Sequence, residues 1–377
     1  MDGWTFPTKN SMKNNNRNPF KIVILVLFIV TLVLGIGFFV LSNISKAKDL
    51  ITPVLNEGIK EAKDLVTNPI TGEVVERTEA TWLGTRPLGV MINNHVDARP
   101  QSGLINADVV YEIVAEGGIT RFLSFFLSNS PEKIGPVRST REYYLVLVKE
   151  LGDAMLMHIG YSPQALEAIE TWPVRSLSRG GADFWRDEER MNRVAIEHTA
   201  YVDGKYLREV GDNLGWTGFK EFVSYKFKSD TPETLSENIV SNISIDFWYK
   251  GDYSAAFKYN PTNNSYLRFM GYDENDALIP HIDNENKKQI EVKNLIVQYV
   301  AENTISGDEK NRLDYQLVGS GDGVVFIDGK SIKVTWSKAD RDARTIFYDL
   351  SGKEMEFNRG KFWISIVPDR NVSQVIY

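Results

Sequence analysis

The chain contains no cysteine. That excludes disulfides, thiolate nucleophiles and cysteine–metal centres. It also excludes lipid attachment at cysteine, including the lipoprotein kind of anchor. Basic excess is lacking too. A formal charge of −7 over 377 residues argues against general nucleic-acid binding, which favours basic surfaces, so no nucleic-acid partner is expected. No glycine-rich phosphate loop, H-E-x-x-H pair or G-x-S-x-G elbow occurs. Asp340 and Asp342 lack the glycine and glutamate of a calcium loop and read as a solvated turn with Arg341 and Arg344. Neither a cofactor nor a metal is expected.

What is present begins with one long apolar run. Ile22–Ile44 carries no charged side chain and as a helix would span roughly 34 Å, enough to cross a bilayer core. Lys9, Lys13, Arg17 and Lys21 precede it against one acid, Asp2. The positive-inside rule then places residues 1–21 in the cytoplasm and the remaining chain outside, as a single-pass cell-membrane protein. A cleaved signal peptide ending at Ser45-Lys46-Ala47 is the alternative. The run is too long for a usual signal core of about 7–15 residues, which favours an uncleaved anchor. Residues 45–79 read as an extracytoplasmic tether. A short amphipathic helix is expected after Pro53, ended by Asn68-Pro69.

The expected fold class is α+β: the transmembrane helix, a layered αβ domain at 80–230 with a mixed sheet, and a smaller all-β domain at 235–377. Leu88–Ile92, Ala107–Val114 and Ile119–Leu127 read as buried strands. Ser162-Pro163 caps a helix, while Arg141–Leu151, Asp183–Arg193 and Thr199–Val210 are expected to be helical. After residue 235, short alternating strands parted by turns indicate an all-β region. Aromatics there, including Trp336 and Trp363, read first as core and second as sugar-stacking platforms. Tyr266, Arg268, His281 and Asp283 likewise read first as structural.

Ile134–Tyr144 (I-G-P-V-R-S-T-R-E-Y-Y) draws attention for chemistry. A helix starting near Val137 would put Arg138 and Arg141 on one face. Its first-turn N–H groups, with Ser139 and Thr140, would then suit phosphate or carboxylate. Asn93, Asn94, His95, Arg99, Glu112, Glu116 and Arg121 fall on or near predicted strand ends, where sites in such sheets usually lie. Each has a plainer reading. Arg121 would pair with Glu112, Glu116-Gly117-Gly118 would be a turn, and His95 and His158 would be structural histidines.

Several strings resemble one family. They are Arg86–Met91, Asn93-Asn94-His95, Ala98–Leu104, Ala107–Glu112, Glu116–Arg121 and Ile134–Arg141, with Asn68–Gly72 as an entry motif. Together they resemble the YerB family of bacterial cell-surface proteins, built from a domain of unknown function and often described as lipoproteins. The resemblance covers about residue 68 to the C-terminus. It implies an αβ region followed by a smaller β-rich one outside the membrane, and no established activity. This chain departs from lipoprotein members in lacking the lipobox cysteine, which leaves anchoring to Ile22–Ile44.

Three functions fit these readings. The first is an envelope protein binding an anionic ligand, such as a lipid-linked or anionic wall polymer, or a partner protein, through an Arg-lined cleft. The second is an enzyme acting on a phosphate-linked polymer precursor, with Glu112, Glu116 or His95 as base. The third is a scaffold for a cell-wall synthase, the arginines being structural.

Overall fold

The computed structural model describes residues 19–230 and 239–377. Most of the expected cytoplasmic tail therefore lies outside the described residues. The chain divides into two compact units, Met1–Leu65 and Val66–Tyr377.

Among the described residues the first unit contains one helix, α1, from Pro19 to Asp64. Its segment Val23–Lys48, whose most apolar 18-residue window has a mean hydropathy of 3.1, is long and apolar enough to cross a membrane. The helix is uninterrupted at Pro53, so no separate helix starts there.

The second unit begins earlier than the tether reading expects. Asn68, Ile70 and Thr71 are already buried. Asn68 Oδ1 accepts from the N–H groups of Ile70 and Thr71, which folds N-P-I-T-G into a turn. Gly72 (φ +69°) closes that turn where any Cβ would strike the Phe227 ring.

The strands of the two main sheets, in chain order, are β1 (Leu88–Asn93), β2 (Val109–Val114), β3 (Thr120–Phe126), β4 (Met155–Met157) and β5 (Arg175–Ser176). Next come β6 (Asn242–Ile245), β7 (Ala255–Asn260), β8 (Ser265–Tyr272), β9 (Leu278–Pro280) and β10 (Glu291–Val292). Then follow β11 (Asn294–Val300), β12 (Gly319–Ile327), β13 (Lys330–Lys338), β14 (Ile346–Asp349), β15 (Phe362–Pro368) and β16 (Val375–Ile376).

Ten of them form one mixed sheet in the order β14-β13-β12-β11-β15-β2-β3-β1-β4-β5. Strand β15, near the C-terminus, lies at its centre, parallel to both β11 and β2. Every residue of β1, β2, β3, β11 and β15 is buried. That matches their near-continuous apolar sequences, since a sheet covered on both faces has no polar side. The segments on either side of residue 235 thus share this sheet, and its core joins Phe122 to Trp363 edge-to-face at 5.3 Å. Strands β6 to β10 and β16 form the further all-β sheet. The class is α+β, as the sequence reading has it.

Helices are few and short. Helix α2 is Glu142–Val148 rather than Arg141–Leu151, and α3 is Pro163–Thr171, with Ser162 Oγ accepting from the Ala165 N–H. The charged stretch Asp183–Arg193 is helical only at Glu188–Met191. The helix expected over Thr199–Val210 starts later and runs Gly204–Asn213, behind an Asp203 cap. Trp336 and Trp363 are buried, which removes the sugar-stacking reading.

Candidate anion-binding site

The expected helix start at Val137 does not form. Residues 134–141 run extended and bridge several neighbours: Ile134 with Val202, Gly135 with Ser102, Val137 with Ile92 and Thr140 with Tyr161. Several of their backbone N–H groups are therefore committed. Val137 donates to Ala200 O at 2.7 Å, Arg138 to Met91 O at 2.9 Å and Thr140 to Gly160 O at 3.1 Å. These three are therefore not open to an anion as a helix start would leave them, and the site is built chiefly from side chains.

Register brings them together. Arg121 on β3 faces Asn93 at the end of β1. Glu116 lies in the turn between β2 and β3, which Gly117 (φ +64°) and Gly118 (φ +75°) make tight. The turn reading of Glu116 thus holds, and its carboxylate is the group the arginines contact. Arg141 donates through Nε to Glu116 Oε1 at 2.5 Å, and Arg121 Nη2 lies 3.6 Å from Glu116 Oε2. Arg121 also donates to Ser139 O at 2.5 Å. Arg312, which sequence reasoning missed, sits 4.0 Å from Glu116 Oε1 and donates to Asp308 at 2.6 Å. Burial alone would raise the Glu116 carboxyl, but the Arg141 hydrogen bond and charge, with Arg121, bring it below its usual range.

Arg138 stands apart. It is half-buried and makes no side-chain hydrogen bond or ion pair among the described residues. Burial depresses its pKa, Glu197 opposing this and Arg141 adding to it. A guanidinium in that state gains from an anion placed against it. Ser139 beside it is also only partly buried. Gly160 (φ +81°) makes room, since a Cβ there would meet Ser139 Oγ at 2.8 Å.

Two imidazoles flank this group. His95 and His198 stack at 4.5 Å, and with Asp97 they bring potential metal ligands within 4.8 Å of one another. Their hydrogen bonds fix a different role. Asn93 Oδ1 accepts from the His95 N–H at 3.0 Å, so its Nδ2 is the end that donates to His198 Nδ1 at 2.8 Å. His95 Nδ1 accepts from the Asp97 N–H at 3.2 Å. Both rings then carry hydrogen on Nε2 and present donors, not the free lone pairs a metal requires. Burial and the neighbouring His95 keep the His198 pKa low, favouring the neutral form.

Other expected site residues lie elsewhere. Glu112 is fully buried and paired with Arg268, whose Nη2 is 2.9 Å from both carboxylate oxygens. It accepts from Thr120 Oγ1 and from Trp363 Nε1 as well, each at 2.9 Å. It does not pair with Arg121 and cannot reach a ligand as a base. Arg99 is tied to Asn94 O and Oδ1, to Asp252 O at 2.7 Å and over the Tyr253 ring. Asn94 is buried against Thr120 Oγ1 and Gln101. Thr140 is buried with its hydroxyl turned to Arg141 O. His158 is a buried structural histidine, donating to Gly160 O through Nδ1 and accepting from Ser176 Oγ. The cluster brought together is Arg121, Arg138, Arg141, Ser139, Glu116, His95 and Asn93, joined by Arg312 and His198. His198 and Arg312 come from a loop and a hairpin distant in sequence, and no local motif marks either.

Fold and site together define an α+β protein with one long apolar N-terminal helix and an arginine cluster at a sheet end. Family comparison then places it. The chain belongs to the DUF3048 family: residues 70–217 match "Protein of unknown function (DUF3048) N-terminal domain", and residues 243–364 match the C-terminal domain of that name. It is similar to "Putative lipoprotein YerB" of Bacillus subtilis (strain 168), at 29% identity over 330 residues, 86% of this chain and 93% of the relative. The crystal structure of the YerB protein from Bacillus subtilis resembles it with a TM-score of 0.68 at 30% identity. That match covers 82% of this chain and 99% of the other.

Proposed function

We propose that this chain is a membrane-anchored surface protein that binds an anionic ligand at Arg138. The single observation behind this reading is the half-buried Arg138 guanidinium, which makes no side-chain hydrogen bond or ion pair among the described residues, beside arginines that Glu116 holds in place. Three guanidinium groups, those of Arg121, Arg141 and Arg312, gather around Glu116, with Arg312 also paired to Asp308, and Arg138 lies close enough to feel the Arg141 charge. Their excess positive charge suits a phosphate or carboxylate, as in a lipid-linked phosphate or an anionic wall polymer. Surface placement draws on the lipoprotein description of the relative and on the apolar segment Val23–Lys48. That segment, containing most of Ile22–Ile44, supplies the anchor that a lipobox cysteine would supply elsewhere. Binding rather than catalysis is favoured because Glu112 is locked to Arg268 and Glu116 to Arg141, which leaves neither carboxylate free to act as a base.

Thermal unfolding of the full-length protein in non-ionic detergent tests this. Inorganic pyrophosphate at about 100 times its dissociation constant should stabilise by about 2.7 kcal/mol and raise the melting temperature by several degrees. No rise with pyrophosphate or with polyglycerol phosphate would remove the reading.

A further inference from the structure

Next to the arginine cluster is a cleft of about 350 Å³. The N-terminal ends of α2 and α3 form one wall, and the hairpin of Glu302–Thr304 with Leu313–Tyr315 forms the other. Arg141 and Arg312 line it, and so do Glu142, Asp314 and Gln164. The last three accept from no protein donor among the described residues, Asp314 being exposed. Neither Glu142 nor Asp314 makes a side-chain hydrogen bond or ion pair among the described residues. Gln164 Oε1 is buried with no hydrogen-bond partner. A buried acceptor left unpaired costs about 1–3 kcal/mol, and two neighbouring carboxylates without a cation repel each other. Burial and Asp314 accordingly push the Glu142 carboxyl above its usual range.

We propose that this cleft binds a zwitterionic ligand, its ammonium against Glu142, Asp314 and Gln164 and its anionic group toward Arg141 and Arg312. The proposal rests on the anion-binding reading above and adds the class of ligand. A single ammonium supplies three N–H donors, matching three unpartnered acceptors. The arginines on the same cleft supply the counter-charge within the length of a small molecule. Two ligand types carry this chemistry: an ethanolamine phosphate headgroup and a peptide with free termini.

Isothermal titration of the full-length protein in non-ionic detergent separates them. The probes are O-phosphoethanolamine and alanylalanine, with ethanolamine, inorganic phosphate and calcium chloride as single-charge controls. At least one zwitterion should bind tenfold or more tighter than both ethanolamine and inorganic phosphate. The tighter of the two assigns the source, headgroup or peptide. Glu142→Gln with Asp314→Asn should reduce that preference to threefold or less, while inorganic phosphate binding stays within twofold of the original. Phosphate binding as tightly as the tighter zwitterion would overturn the proposal while leaving the anion reading intact. Retention of the preference in the double variant would overturn it too, as would calcium alone binding in a Glu142- and Asp314-dependent way. Loss of phosphate binding altogether in the original protein would remove the anion reading and this proposal with it.

Discussion

The Glu112–Arg268 pair gives the most quantitative prediction. Glu112 sits on β2 and Arg268 on β8, so the pair joins the two main sheets. Both side chains are fully buried. Arg268→Met would leave the carboxylate with only Thr120 and Trp363, and would remove a guanidinium lying 4.3 Å from the Trp363 ring centre. Glu112→Gln would strand a buried guanidinium whose other polar partner is His281. Breaking such a pair from one side costs about 3–5 kcal/mol. The compact unit Val66–Tyr377 has roughly 310 residues, and about 2.1 cal/mol/K per residue gives about 0.65 kcal/mol/K. Each single variant should therefore melt about 5–8 °C lower. The double variant leaves no uncompensated charge, because glutamine still accepts from Thr120 and Trp363. It should melt no lower than either single variant, a coupling of at least about 3 kcal/mol. Thermal unfolding in detergent, followed by near-ultraviolet circular dichroism, reads this out. Single variants within 1 °C of the original, or additive losses in the double, would refute the reasoning.

Three further outcomes are expected. Burial depresses His158 from 6.5 to about 4, its Gly160 hydrogen bond opposing this. Its contribution is therefore complete above pH 6.5 and is lost as pH falls toward 4, about 3 kcal/mol in all, and His158→Gln should show a flatter stability profile across that window. Gly160→Ala places a Cβ 2.8 Å from Ser139 Oγ at φ +81°, so melting should fall by about 2–3 °C and pyrophosphate affinity should weaken; an unchanged affinity would count against Ser139 as a site wall. Because the chain lacks cysteine, single cysteines report topology directly: on intact cells an impermeant maleimide should label Arg193→Cys and spare Asp2→Cys, and the reverse pattern would contradict the orientation.

Local chemistry made part of the molecule legible. The apolar segment, the Ser162-Pro163 helix start and the strands near Leu88–Ile92, Ala107–Val114 and Ile119–Leu127 follow from periodicity and capping within a few residues. The position of β15 does not. Its parallel pairing with β2 joins residues such as Glu112 and Ser365, and no turn signal links them. Glu112 looked like a cleft residue because a carboxylate on a strand is locally unexplained. Its partner Arg268 lies 156 positions away. Arg138 and Arg141 looked like a helix face because their spacing fits one. The segment is instead extended, since its backbone groups bond to Met91, Ala200 and Gly160. The same bonds fix the Arg138 backbone in an extended path, and its side chain makes no hydrogen bond or ion pair among the described residues.

The most direct measurement is the pyrophosphate affinity of Arg138→Ala beside that of Arg99→Ala, by isothermal titration of the folded, full-length protein. Arg138→Ala should weaken binding tenfold or more. Arg99, held by Asn94 and Asp252, should leave affinity within twofold when replaced. Equal binding by Arg138→Ala and the original protein would contradict the account.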